Sequence, residues 1–340
     1  MESSIEVGSV LFAAFIISVM MTGFTRKYSL RKKIMDVPNE RSSHLIPTPR
    51  GGGVAVILVF LLATLWLGFS GNIDRNLTFA LIGGGLLVAV MGYFDDVYTI
   101  KIRYRIGMHF LAALWALYWL DGFPVLDFGT WKFILNWEGS FIALIGIVWC
   151  INLYNFMDGI DGLAGMQGFF ISLASSLTLY YLGAHQLGFL LAFLAAALSG
   201  FTVWNWPPAK IFLGDVGSGF LGFVFSVIAI YTANHHLLSI NFWLIILSVF
   251  ICDATFTLIY RALTGQRWYA AHREHAYQRL ILMGLSHQQI TVGIFILNIS
   301  ILFPLSLASL YWPNQGFWLM SISIFGLLLI WFSIRNLSFR

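Results

Sequence analysis

The chain has 340 residues, of which 59% are hydrophobic and 10% charged. With a mean hydropathy of +0.82, it carries too little charge to cover a soluble domain, and it reads as an integral membrane protein. The net charge of +4 does not point to nucleic acid, because membrane topology accounts for the excess basic residues and no soluble domain is left to present a groove.

A membrane span needs about 20 mostly apolar residues. Such stretches occur at 7–25, 53–70, 77–94, 106–120, 139–155, 163–182, 187–204, 217–233, 240–260, 290–311 and 316–334, the one at 106–120 being short. The bilayer offers the backbone no water partners, so these stretches are expected to be helices. The alternating short segments of a barrel are not seen. The fold class is therefore all-α: a polytopic integral membrane protein with about 11 transmembrane helices, without a fixed-period repeat, forming a single transmembrane catalytic domain over 1–340. The first span is led by Glu2 and Glu6 and trailed by basic residues, the reverse of a secretory leader, and is expected to be retained. Cys150 and Cys252 fall inside apolar spans and read as packed thiols, with no disulfide framework implied.

Orientation follows from Lys and Arg. With the N-terminus outside, the alternation of spans places all the basic residues inside except Arg75 and Lys132. The C-terminus is then cytoplasmic. The informative inside segments are 26–52, 95–105, 155–162, 205–218 and 261–289, and the outside loop 121–138 reads as a small hairpin.

Most of the candidate chemistry gathers in those inside segments. Asp95–Asp96 follow Gly92-Tyr93-Phe94 at the end of the third span. Adjacent carboxylates near lipid repel and call for a cation, either a metal or the nearby Arg103 and Arg105; a snorkelling helix cap is the plain alternative. Asn152, Asn155, Asp158 and Asp161 recur every three residues. That spacing stacks them on one face if the segment is helical, while a simple turn between spans would also use Asn, Asp and Gly. Asp215 lies among glycines at the start of the eighth span, where a carboxylate beside phosphates suits Mg²⁺; a helix N-cap is the alternative. His272-Arg273-Glu274-His275 suits diphosphate, zinc being poorly served by two His alone, and an ordinary surface loop is the rival reading. Asp253, buried within the ninth span, is expected to steady Arg261 or a neighbouring polar group.

Together these motifs resemble the polyprenyl-phosphate N-acetylhexosamine-1-phosphate transferase superfamily, glycosyltransferase family 4. The pieces are Pro47-Thr48-Pro49-Arg50-Gly51-Gly52, Gly92-Tyr93-Phe94-Asp95-Asp96, Asn155-Phe156-Met157-Asp158-Gly159-Ile160-Asp161-Gly162, Phe212-Leu213-Gly214-Asp215-Val216-Gly217-Ser218 and His272-Arg273-Glu274-His275, in family order across about residues 36–280. The resemblance implies transfer of N-acetylhexosamine-1-phosphate from a UDP-N-acetylhexosamine to undecaprenyl phosphate, giving a lipid-linked diphosphosugar and UMP. It implies a Mg²⁺ cofactor, for which Mn²⁺ would be a substitute. It also implies metal binding by Asp215, catalytic work by Asp95, Asp96, Asp158 and Asp161, and substrate binding by Arg50, Arg105, Asn152, Asn155, His272, Arg273 and His275. The expected setting is the bacterial inner membrane with the site facing the cytoplasm, and a homodimer is among the assemblies allowed.

Two departures bear on the branch. The muramyl-pentapeptide branch has three successive histidines where this chain reads His272-Arg273-Glu274-His275-Ala276-Tyr277-Gln278, and Thr99 stands where the enterobacterial-antigen branch tends to carry another Asp. The histidine motif looks more like the O-antigen initiating branch, whose donors include N-acetylated deoxyhexosamines such as N-acetylfucosamine. Direct attack by the lipid phosphate is the expected mechanism, since a phosphomonoester is already largely ionised at neutral pH; a covalent aspartyl intermediate is the alternative. An intramembrane aspartyl protease and a polytopic transporter are the rival functions.

Overall fold

Each of the eleven apolar stretches is helical. The structure, a computed structural model, describes residues 2–38, 43–44, 46–120, 122–124, 126–127, 132–133, 135–267 and 272–337. Of the basic residues assigned to the inside, Arg41 and Arg340 lie outside the described residues.

Helix α1 (Glu2–Lys32) leads to a two-residue ribbon in which β1 (Met35–Asp36) pairs antiparallel with β2 (Thr48–Pro49). Helix α2 (Gly53–Phe69) follows, and α3 (Arg75–Phe79) and α4 (Gly85–Tyr98) are joined by the π-helical turn Ala80–Gly84. Asp74 starts α3 because its carboxylate accepts the N–H groups of Asn76 and Leu77, two of the donors that a helix start leaves unpaired. After α5 (Ile102–Trp119) comes the expected hairpin, in which β3 (Leu126–Asp127) pairs with β4 (Lys132–Phe133). Helices α6 (Trp137–Phe156), α7 (Leu163–Tyr181), α8 (His185–Asn205) and α9 (Gly214–Asn234) cross in turn. The chain continues through α10 (Ile240–Ile246), α11 (Ser248–Leu263) and α12 (Ala276–Leu282). Helices α13 (His287–Leu297) and α14 (Phe303–Tyr311) flank a second π-helical turn, and α15 (Gly316–Asn336) ends the chain.

Among the described residues, eight helical rods are long and apolar enough to cross a bilayer, or nine if α10–α11 is one span. Helix α2, with 17 residues, is shorter, and α5 carries Arg103 and Arg105 in its first turn. The stretch read as one span at 240–260 is broken, with α10 and α11 meeting at 74°. No Pro or Gly marks the break at Leu247, so sequence pattern offers no warning of it.

Helix α9 is the centre of the bundle, with 89% of its span buried, against 17% for α1 and 22% for the span ending in α15. Lipid tails are as apolar as Leu, so close backbone packing rather than water exclusion holds such helices together. Gly92 of α4 shows this: a Cβ there would lie 2.5 Å from Asp215 O and 2.6 Å from Val216 Cα. The absence of a side chain lets α4 meet the start of α9 backbone to backbone, and so fixes where both helices place their acids.

Candidate active site

The paired acids of α4 divide their labour. Asp96 accepts backbone hydrogen bonds from Asp215 N (3.0 Å) and Val216 N (3.2 Å), satisfying the first donors of α9 from a neighbouring helix. Gly214 makes room for this carboxylate. Its φ is +79°, and a Cβ there would lie 2.5 Å from Asp96 Oδ2, so only glycine fits. Asp95 accepts from Ile100 N (2.6 Å) and turns toward Arg105. The Arg105 Nη1 lies 2.5 Å from Asp95 and 3.2 Å from Asp215. Asp215 is held on its other oxygen by Asn155 Nδ2 (2.8 Å), which also donates to Ser218 Oγ (3.0 Å).

Two carboxylates from separate helices thus converge on one cationic group. The ligands on offer are oxygens, and among the described residues no group of three or more His, Cys, Asp or Glu gathers. This does not make a closed zinc cage. Arg105 fills the space between the two carboxylates, and of the pair it is Asp215 that also faces the larger cavity beside it, as an oxygen ligand of the kind Mg²⁺ accepts alongside phosphate and water.

Beside this pair opens a cavity of about 340 Å³, lined by Asp36, His44, Arg50, Asp158, Asp161, Asp215, Gln278 and His287, among others. The β1–β2 ribbon forms one wall, where Arg50 Nη2 pairs with Asp36 Oδ1 at 2.8 Å. The turn after α6 forms another. Helix α6 ends at Phe156, so Asn152, Asn155, Asp158 and Asp161 do not share a helical face, contrary to the three-residue reading. The backbone turns at Met157, and Gly162 takes φ +78°, which a continuing helix does not allow. Burial, with Asp215 and Asp96 nearby, holds the Asp158 carboxyl well above the usual carboxylate range. For Asp161 burial acts in the same direction, but hydrogen bonds to His287 and from Ala209 N outweigh it and hold the carboxyl below its ordinary value.

Other expected site residues stand apart. Asn152 donates to Val148 O (2.7 Å) and faces His109 Nδ1 at 3.3 Å, linking α6 to α5 instead of lining the 340 Å³ cavity. His272, Arg273 and His275 do not line it either; Gln278, one turn further on, does. His275 is buried, stacked on Tyr277, and 3.5 Å from Asp253 Oδ1. Burial, with His275 and Arg261 nearby, lowers His272 to about 4. The motif is instead a framed corner. Asp253 accepts from Ala276 N (2.8 Å) and Tyr277 N (3.3 Å) rather than steadying Arg261. Glu274 pairs with Arg261 and, at 2.9 Å, with Arg335 of α15.

Sequence reasoning missed Asp36, His44, His109 and His287. Asp36 and His44 flank a loop whose pairing arises only in the folded ribbon, and His109 is a lone His within an apolar span. His287 sits one residue after Ser286, whose capping box with Gln289 marks a helix start, but nothing local ties it to Asp161, 126 residues away.

Comparison with known proteins agrees with this arrangement. The sequence model of Glycosyl transferase family 4 matches residues 78–233. The chain is 30% identical to the probable undecaprenyl-phosphate N-acetylglucosaminyl 1-phosphate transferase of Bacillus subtilis, over 94% of this chain and 89% of that protein. It is 26% identical to the undecaprenyl-phosphate alpha-N-acetylglucosaminyl 1-phosphate transferase of Escherichia coli, over 84% and 79%. It is 25% identical to the phospho-N-acetylmuramoyl-pentapeptide-transferase of Geobacillus thermodenitrificans, over 82% and 88%. Similarity that spans nearly the whole of both chains places this protein in glycosyl transferase family 4, the polyprenyl-phosphate hexosamine-1-phosphate transferase superfamily.

Proposed function

We propose that this protein transfers N-acetylhexosamine-1-phosphate from a UDP-N-acetylhexosamine to undecaprenyl phosphate, releasing UMP. The observation that carries the reading is the meeting of Asp95 and Asp215, from separate spans, at one guanidinium beside a polar 340 Å³ cavity. The names of the relatives support undecaprenyl phosphate as acceptor. The segregation of basic residues supports a site facing the cytoplasm of a bacterial inner membrane, where a soluble nucleotide sugar and a lipid phosphate can both arrive.

Asp215, which lines the cavity, would hold Mg²⁺, which supplies charge neutralisation at the donor diphosphate. Arg50, across the cavity, offers a paired guanidinium to phosphate oxygens. A lipid-phosphate oxygen attacks the sugar-bearing β-phosphorus, and the bond from that phosphorus to the bridging oxygen breaks. The bridging oxygen leaves on UMP, and a new diphosphate links lipid and sugar. Asp158 lines the cavity and, in its ionised form, suits removal of a remaining acceptor proton.

The histidine motif supports an O-antigen or related cell-envelope polysaccharide as the downstream product. The test is purified protein with undecaprenyl phosphate, Mg²⁺ and a panel of UDP-N-acetylhexosamines, read by UMP release and mass spectrometry of the lipid. One donor is expected to give a lipid diphosphosugar, with turnover abolished by EDTA and restored by Mg²⁺ or Mn²⁺. UMP release without a lipid product, or turnover indifferent to EDTA, would overturn the proposal.

A further inference from the structure

Asp161 is a junction of three segments. Its carboxylate accepts from Ala209 N (3.0 Å) in the α8–α9 loop. Its carbonyl accepts from Thr291 Oγ1 (3.2 Å) of α13. Its backbone N–H donates to His287 Nδ1 (3.3 Å), and the same nitrogen lies 3.4 Å from Asp161 Oδ2. His287, the first residue of α13, is thereby fixed to the α6–α7 turn while its ring also lines the 340 Å³ cavity. Nδ1 is engaged on Asp161, by its N–H and its carboxylate together, so Nε2 is the ring nitrogen left to offer the cavity.

We propose that His287 is a donor-binding residue of the cavity: Asp161 anchors the ring through Nδ1, and Nε2 hydrogen-bonds a polar group of the bound nucleotide sugar. This rests on the transferase reading above. The donor is the substrate concerned because the 340 Å³ cavity is polar, lined by Asp36, Arg50, Asp158 and Asp161, and so suits a nucleotide sugar rather than a prenyl chain.

Three variants separate this role from a structural one. His287→Ala loses both contacts. His287→Asn keeps an acceptor near the Nδ1 position, and His287→Gln keeps a donor near the Nε2 position. Steady-state kinetics would use the best UDP-N-acetylhexosamine and undecaprenyl phosphate, each varied with the other saturating. His287→Ala is expected to raise the donor KM about tenfold, the loss of one hydrogen bond to a charged or strongly polar ligand, with the acceptor KM within about twofold of wild type. His287→Gln should recover most of that loss and His287→Asn little. If His287→Asn recovers activity and His287→Gln does not, the residue merely props Asp161 and the proposal fails. Equal rises in both KM values, or a wild-type donor KM in His287→Ala, overturn it too. If His287→Ala does not fold, the comparison of Gln with Asn decides alone. Wild-type turnover in the same assay tests the parent reading: an inactive wild type counts against the transferase function itself, and an active wild type with unselective variants counts only against His287.

Discussion

Asp96→Asn probes the claim that this carboxylate organises the site through α9 and not by touching substrate. The wild-type oxygens accept from Asp215 N at 3.0 Å and Val216 N at 3.2 Å. Asparagine keeps one acceptor and turns an amide N–H toward a backbone N–H. One charge-assisted hydrogen bond disappears, at about 1.5–3 kcal/mol, and the stranded donor adds about 1 kcal/mol or more. Loss of a negative charge at a helix N-terminus adds up to about 1 kcal/mol. The sum, about 3 kcal/mol or more, should lower the melting temperature in detergent by roughly 4 °C or more. Turnover measured well below that melting point should fall about 100-fold, because Asp215 is no longer held in place. Both readouts must move together. Loss of turnover at an unchanged melting temperature would mean that Asp96 acts on substrate directly, and the capping argument would be wrong.

Three further outcomes follow from the same geometry. Asn155→Ala removes the group that fixes Asp215 Oδ1 and should raise the Mg²⁺ concentration for half-maximal turnover about tenfold; an unchanged Mg²⁺ titration would refute this. Asp253→Ala strands the N–H groups of Ala276 and Tyr277 and should destabilise the protein by about 2–4 kcal/mol, seen as a lower melting temperature with no change in Mg²⁺ requirement. Glu274 sits below its ordinary value: burial raises it, but the hydrogen bond from Arg335 and the charges of Arg261 and Arg335 outweigh that effect. A depressed folded value means that the carboxylate contributes stability above about 4.5, its ordinary value, and loses it as pH falls toward the folded value. Glu274→Gln should therefore melt well below wild type at pH 7 and approach it below pH 4.5; a constant gap across that range would exclude Glu274 as the source.

The helices were legible because bilayer physics leaves an apolar chain few alternatives, and the gathering of Asp95, Asp96, Asp158 and Asp215 at one end of the bundle was legible from span alternation alone. What escaped was set by contacts distant in sequence. The Leu247 break carries no helix-breaking residue. The partners of Glu274 lie 13 and 61 residues away. The phase of Asn152 to Asp161 failed because helix period was carried past Phe156, where Gly159 and Gly162 favour a turn. Of the histidine motif, His275 packs against Asp253 and Tyr277, and Gln278, one turn further on, reaches the cavity wall.

The contact at Gly92 has a consequence for how the protein meets different membranes. Bilayers of unequal thickness are accommodated by tilting the helices that face lipid, here α1 and α15. The separation of Asp95 from Asp215 is set instead by main chain resting on main chain at the bundle axis. Rearrangement of the periphery therefore leaves the spacing between these two oxygens unchanged, and the chemistry is insulated from the lipid around it.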